Sequence, residues 1–395
     1  MAAIFLSRNS MDPPLASAFS HRSSIYTMNQ LQILAIVLYF AKLGATDPNT
    51  PWHRHKIPTF LPQETLKLDK PRFSAKATLE LMTHCNAECL WKEAHPTLED
   101  LKENLSYETV YTNGTRTLTV VDIPDFDPST HVLKQHTPAR SRRKRQIFGV
   151  DGRFDISGKT FLLNFPFSTT VRISTGCTGV LVSDRHVLTA AHCIHDGNDY
   201  VKGAKKLKVG FLKENPKAQL TKRSKIPPKL LTRWLRVKRT QVPKGWIRSQ
   251  NELSMDYDYA LLELKRPHDR PHMEITVMPT TDQVAGNRIH FSGFDSDRPG
   301  HLVYRFCPII NETPHLIYQH CDAQPGSSGS GVYAKLWLPE KQDWERKIVG
   351  IFSGHQWVDL NGMQRDYNVA VRITPLKYAQ ICYWIKGTYS DCRSD

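Results

Sequence analysis

A histidine beside a cysteine, a serine inside a glycine-rich turn and an aspartate before an apolar run are the residues of this chain whose types and order could do chemistry. His192 follows Val187-Leu-Thr-Ala-Ala and adjoins Cys193, Ser328 lies within Gly326-Ser-Ser-Gly-Ser-Gly331, and Asp256 and Asp258 precede Ala260-Leu-Leu-Glu-Leu264. Acyl transfer by a serine needs a hydroxyl, an imidazole to take its proton and a carboxylate to orient that imidazole. It also needs backbone N–H groups aimed at the developing oxyanion, which a tight glycine-containing turn supplies beside the nucleophile. The glycines flank Ser328, so Ser327 and Ser330 rank below it. This chemistry calls for no metal and no other cofactor. His195 reads as an ordinary loop histidine. His84, Cys85, Cys89 and His95 match no standard metal spacing, and a disulfide is the expected use of the two cysteines.

These side chains need a rigid frame, and the sequence around them is that of short strands. Runs rich in Val, Ile, Leu and Phe recur at Phe161–Phe165, Val171–Ser174, Gly179–Val182, His186–Leu188 and Leu207–Leu212. Others lie at Ala260–Leu264, Ile289–Gly293, Gly331–Ala334 and Ile348–Phe352. Turn residues separate them at intervals that predict an all-β barrel or sandwich. Only the end differs: Thr374-Pro375 followed by Leu376–Ile385 predicts a helix with Pro375 in its first turn. No internal repeat is present.

The segments Cys177-Thr-Gly-Val-Leu-Val and Leu188-Thr-Ala-Ala-His192-Cys193, with Gly326-Ser-Ser328-Gly, closely resemble those of the trypsin/chymotrypsin family of serine proteases. The order His, Asp, Ser is also that of this family. The resemblance covers residues 146–395 and implies two six-stranded antiparallel β-barrels with a C-terminal helix. It implies a triad of His192, Asp258 and Ser328, with Asp256 as the fallback acid, and oxyanion donors at the N–H groups of Gly326 and Ser328. Val349-Gly-Ile-Phe-Ser353-Gly354 resembles the strand that pairs with the substrate backbone, making Ser353 and Gly354 substrate-binding residues. A Cys177–Cys193 bridge would tie His192 to the neighbouring strand. Short loops suggest Cys307–Cys321 and Cys382–Cys392, although eight cysteines allow on the order of a hundred pairings.

Two departures stand out. Asp322, six residues before Ser328, occupies the position where trypsins hold the acid that selects Arg or Lys before the scissile bond, yet Gln324 replaces a cysteine and Pro325 precedes the oxyanion glycine. Ser327 stands where family zymogens carry the aspartate that receives the newly freed N-terminal amine, and a hydroxyl cannot neutralise a buried ammonium.

The compartment follows from the remainder of the chain. Residues 1–45 contain an apolar run, Leu31–Tyr39, too short to span a bilayer and expected to be a signal-peptide core, with Met28 as an alternative start. Three Asn-x-Ser/Thr sequons (Asn104, Asn113, Asn311) and an even count of 8 cysteines fit an oxidising, extracellular setting. Residues 46–145 form a propeptide or N-terminal region, ending in Arg142-Arg143-Lys144-Arg145, which resembles the site cut by furin-like convertases. Cleavage there exposes Gln146. The net charge of +15 calls for an anionic partner. Between Lys202 and Arg248 there are 16 Lys or Arg against the one acid Glu214, with Trp234 and Trp246 interleaved. This reads as a surface loop that could dock heparin or other sulfated glycans; nucleic acid and a membrane span are not expected. The function expected is that of a secreted serine endopeptidase acting on protein or peptide substrates. The alternative is an extracellular pseudoprotease, a binding module whose triad is idle because Ser327 cannot order the oxyanion turn.

Overall fold

The computed structural model describes residues 52, 54–68, 73–85, 96–126, 147–156, 159–213, 231–247, 255–360 and 363–393. The expected leader (1–45), the processing run Arg142–Arg145, Gln146 and Cys89 lie outside the described residues, as does the centre of the basic stretch, 214–230.

Two closed six-stranded antiparallel barrels form the body. The first contains β6 (Thr170–Ile173), β7 (Thr178–Ser183), β8 (His186–Thr189), β9 (Lys208–Lys213), β10 (Leu231–Pro243) and β11 (Ala260–Leu264) in the order β10-β11-β8-β7-β6-β9, closed by pairing of β9 with β10. The second contains β12 (Arg288–Gly293), β13 (Leu302–Glu312), β14 (Leu316–Gln319), β15 (Gly331–Leu338), β16 (Asp343–Leu360) and β17 (Met363–Arg372) in the order β12-β15-β16-β17-β14-β13, closed by β12 with β13. Closure removes the unpaired edges that an open sheet would expose. The barrel interiors take apolar side chains of the alternating runs: Leu181, Val187, Val209 and Leu262 in the first, Ile289, Val332, Val349 and Ala370 in the second, while Val180 packs on Gly331 between the barrels. The fold class expected from the family resemblance is thus the one observed.

The helix α2 (Pro375–Lys386) closes the body. Thr374 caps its start, its hydroxyl accepting from Lys377 N–H, and Gly387 ends it in a left-handed conformation (φ 80°). Three disulfides join the expected pairs: Cys177–Cys193, Cys307–Cys321 and Cys382–Cys392.

Some expectations fail locally. Phe161–Phe165 is no strand; Lys159–Leu163 is a short helix, and Pro166, which has no N–H to offer a ladder, follows it. The basic stretch is not simply a loop, because its ends are β9 and the thirteen-residue β10. Leu235 and Val237 of β10 point inward while Arg236 and Lys238 face solvent, the period-two signature of a half-buried strand. Trp246 is fully buried and donates its indole N–H to the carbonyl of His195 at 2.8 Å. His195 itself is buried, with Nδ1 accepting from Gly197 N–H at 3.0 Å and the ring edge-on to Tyr200.

Residues between 52 and 126 pack on this body. The strands β1 (Leu61–Leu68), β3 (Tyr107–Tyr111) and β4 (Arg116–Asp122) extend the first barrel's sheet in the order β1-β4-β3-β10. The helix α1 (Leu98–Leu105), started by a Thr97/Asp100 capping box, contributes Leu101 and Leu105 to the same core. Rings cross the boundary as well: Phe60 meets Tyr383 and Tyr107 meets Trp384.

Candidate active site

His192 sits in a short helical turn directly after β8, where the Cys177–Cys193 bridge pins the chain to the start of β7. Asp258 precedes β11, which pairs with β8, so the sheet brings the two residues together. The Asp258 carboxylate is fully buried and accepts from the backbone N–H of His192 at 2.8 Å and from its Nδ1 at 2.7 Å. The Ser353 hydroxyl at the middle of β16 donates to the same carboxylate. A carboxylate can only accept, so the proton between it and the ring sits on Nδ1 and leaves Nε2 with its lone pair exposed for a proton. Asp256 lies instead in the turn Met255–Tyr257 and makes no hydrogen bond to His192. The sulfurs nearest His192 are joined as a disulfide, which removes them as metal ligands.

Ser328 lies on the turn preceding β15. Gly326 (φ 98°) and Gly329 (φ 85°) both occupy conformations that side chains resist. A Cβ on Gly326 would stand 2.5 Å from the Phe294 carbonyl, and one on Gly329 would fall on Thr178 O and Thr189 Oγ1. The turn is held from all sides. Thr178 Oγ1 donates to Gly326 O at 2.8 Å, Thr178 N–H to Ser328 O at 2.9 Å, and Gly329 N–H to Phe352 O at 2.7 Å. Ser327 is buried and its hydroxyl donates to Gln324 O at 2.6 Å. The turn therefore keeps its shape through local hydrogen bonds, with no ion pair at position 327.

The family resemblance puts Asp322 at the base of the specificity pocket, and the structure does not. Its carboxylate instead accepts from Phe148 N–H at 2.6 Å and Gly152 N–H at 2.7 Å, and Phe148 stacks on His320 with centroids 4.2 Å apart. Beside Ser328 a small cavity is lined by Ala323, Gln324, Phe352, Gly354, His355 and Asn368, among others, and Asp322 is not one of its walls. Among the described residues the acid that lines it is Glu80 of the N-terminal region, with no Asp or Glu from the body. Burial raises the Glu80 carboxyl above its ordinary value, opposed by the nearby His192. Burial likewise lowers His355, whose Nδ1 meets Asn368 Oδ1 at 3.2 Å.

The Ser328 hydroxyl points to two carbonyls, Ser353 O at 2.9 Å and Leu79 O at 3.1 Å, and does not hydrogen-bond His192. Gly326 N–H donates to the same Leu79 carbonyl at 2.9 Å. The segment that supplies this oxygen carries no recognisable site in the sequence. Of the sequons, Asn113 is exposed on the turn between β3 and β4, and Asn104 is half-buried with its side chain bonded to Tyr257. Asn311 is 8% exposed within β13, its Oδ1 accepting from Glu312 N–H.

Comparisons with known proteins agree with this architecture. The family described as Trypsin matches residues 159–378. Serine protease 23 of Rattus norvegicus is 56% identical over 375 residues, covering 92% of this chain and 98% of that protein. The Homo sapiens protein of the same name is 58% identical over 350 residues, covering 87% and 91%. Inactive serine protease 35 of Macaca mulatta is 48% identical over 384 residues, covering 86% and 93%. The chain belongs to the trypsin family.

Proposed function

We propose that this protein is a secreted serine endopeptidase that hydrolyses peptide bonds through an acyl-enzyme on Ser328. The observation that carries this reading is the Asp258 carboxylate, which meets His192 at both its backbone N–H and its Nδ1. A binding module has no need of a buried carboxylate that orients an imidazole, whereas a general base does. In the reaction Ser328 Oγ bonds to the substrate carbonyl carbon and its proton passes to His192 Nε2. The oxyanion accepts from the N–H groups of Gly326 and Ser328. Collapse breaks the peptide bond as His192 returns the proton to the leaving amine, and water then repeats the sequence to free the acid. Ser353 and Gly354 line the substrate strand. The cavity beside Ser328 offers no carboxylate of the protease body, so the preference for Arg or Lys that Asp322 would have conferred has no base here.

Secretion is supported by three cystine bridges and an exposed sequon at Asn113. Maturation is assigned to a furin-like convertase cutting after Arg145. The exposed Lys208 of β9 and Arg236 and Lys238 of β10, on the same face of the strand pair as Trp234 (43% exposed), form a basic face suited to sulfated glycans. Retention on a heparin column well above physiological salt is expected.

A second reading, an extracellular binding module with an idle triad, draws on the Ser328 hydroxyl being turned away from His192. A fluorophosphonate probe, which labels only activated serines, separates the two. Convertase-processed protein should label and Ser328→Ala should not, while a variant lacking Arg142–Arg145 tests the need for the cut. No labelling of folded, processed protein, even with its cleft opened, would make the binding module the better reading.

A further inference from the structure

We infer that residues 78–85 of the N-terminal region are a built-in occupant of the substrate cleft, laid in reverse polarity, and that they stay there after the chain is cut at Arg145. This rests on the cleft being the one proposed above to receive substrate.

The segment bridges the two barrels. At its start, Ala75 exchanges backbone hydrogen bonds with the loop after His192, donating to Tyr200 O at 3.2 Å and accepting from Lys202 N–H at 3.0 Å. Leu79 then packs over Gly176, where a Cβ would strike its side chain, and its carbonyl takes the Gly326 N–H and the Ser328 hydroxyl. Glu80 enters the cavity beside Ser328. Finally β2 (Leu81–Cys85) pairs in parallel with Gly354–Val358 of β16, in register Leu81↔Gly354 to Cys85↔Val358. Thr83 fixes this register by accepting from Gln356 Nε2 at 3.1 Å, and Leu81 is buried. The approach is so close that a Cβ on Gly354 would overlap the Leu81 carbonyl.

Hydrolysis fixes the polarity of a productive substrate. The leaving nitrogen lies C-terminal to the attacked carbonyl and must receive a proton from His192. The part lying along Ser353–Val358 must therefore be N-terminal to that carbonyl. Here the order is inverted, because the residues along Gly354–Val358 follow Leu79 rather than precede it. The amide that would have to leave is on the wrong side, while the oxyanion donor and the nucleophile are both engaged. The segment is held without being cut.

Cutting after Arg145 does not by itself remove it. Leu101, Leu105, Tyr107, Val110, Val121 and Ile123 are buried in the core shared with the first barrel, and β3 pairs with β10 over five residues. Burial of each large apolar side chain is worth about 1.5–3 kcal/mol, and no single backbone cut between 127 and 146 disrupts any of these contacts. The processed protein is thus two chains held without a covalent link through the described residues, with the cleft still filled. Full activity needs a second event that lifts or cuts residues 78–85.

The test uses full-length secreted protein cut by a furin-type convertase, beside the variants Leu79→Gly/Leu81→Asp and Thr83→Pro. Thr83→Pro removes a strand N–H at a partly exposed position and serves if the double variant folds poorly. The two pieces of the wild type should co-elute under non-denaturing conditions. Hydrogen exchange at the Gly354–Val358 amides should stay slow after the cut and quicken in the variants. Because an occupied cleft cuts reactivity by its open fraction, labelling of Ser328 by the fluorophosphonate should be at least about 10-fold faster in the variants. Separation of the pieces on cutting, or equal exchange at Gly354–Val358 in wild type and a folded variant, overturns the inference. Fast exchange with Ser328 still unlabelled in the variants overturns the peptidase reading and leaves the cleft assignment standing.

Discussion

The carboxylate of Asp322 accepts hydrogen bonds from the backbone N–H groups of Phe148 and Gly152, at 2.6 and 2.7 Å, so the residue counted from Ser328 as a substrate selector is instead a clamp on the chain just after the processing site. Arg153 continues the clamp, its guanidinium bonded to Asp151, buried Asp295 and Asp297. Arg153 and Asp295 are buried and Asp295 also pairs with buried Arg305, so the cluster holds the segment because losing one partner leaves a buried charge short of a counter-ion.

Asp322→Ala should therefore act on stability rather than on substrate choice. It removes the acceptor of two N–H donors, of which Phe148 is half-buried and Gly152 is open to water, a loss of about 1–2 kcal/mol. Asp322→Asn keeps one acceptor oxygen and should cost less. Denaturant midpoints, with limited proteolysis near residue 148, read the effect. A change in the residue preferred before the scissile bond, with stability unaltered, would return Asp322 to the specificity pocket.

Asp258 is held by three donors, and each matters differently for turnover. Asp258→Asn offers an amide N–H to the ring, favours the wrong tautomer and should lower kcat by on the order of 10⁴. Ser353→Ala removes one donor to the carboxylate and should lower kcat about 10-fold, with KM little changed. Peptide turnover by processed protein with an opened cleft is the measurement. A rise in KM alone for Ser353→Ala would mean that it serves only the substrate strand.

Acid should unfold the protein well above the range of ordinary carboxylates. Burial lowers His186, His195, His290 and His315 to about 4 from an ordinary 6.5. Between those values the unfolded chain binds more protons than the folded one, so stability present above pH 6.5 is lost as the pH falls toward 4. Each tenfold difference in proton affinity between the folded and unfolded chain is worth about 1.4 kcal/mol. Thermal midpoints should fall steadily below pH 6.5. A constant midpoint down to pH 4.5 would show that these rings are not buried.

The turn that carries Ser328 should tolerate no side chain at Gly329. Gly329→Ala places a methyl on Thr178 O and Thr189 Oγ1 at a left-handed φ of 85°, a combination expected to cost more than about 4 kcal/mol. Gly300→Ala is the control: φ is 89° but no atom lies within 4 Å of the added carbon, so only the backbone strain of about 1–2 kcal/mol applies. Secreted yield should collapse for the first and persist for the second. Equal yields would mean that the turn can shift.

The parts of the fold that are legible in the sequence rest on contacts near in the chain. Thr374-Pro375 announces α2, and the alternating runs announce most of the barrel strands. The signal for β10 is also present, in Leu235 and Val237 alternating with Arg236 and Lys238, but the density of positive charge around it is equally that of a solvated loop. His195 and Trp246 read as loop and surface residues because nothing local shows that Tyr200 and the His195 carbonyl enclose them.

The family resemblance implied the pair of barrels and the cysteine pairs; the sequence by itself determined a candidate hydroxyl, imidazole and carboxylate, and a frame of short strands ending in a helix. Those features are specified by turns, caps and alternation acting over a few residues. The tertiary structure alone decided that Asp322 faces Phe148, 174 residues away, and that Leu79 meets Ser328 across 249. Such contacts depend on which of many chain segments fills a cleft or satisfies a buried carboxylate, and that competition is settled by packing and by loop closure, not by any local pattern.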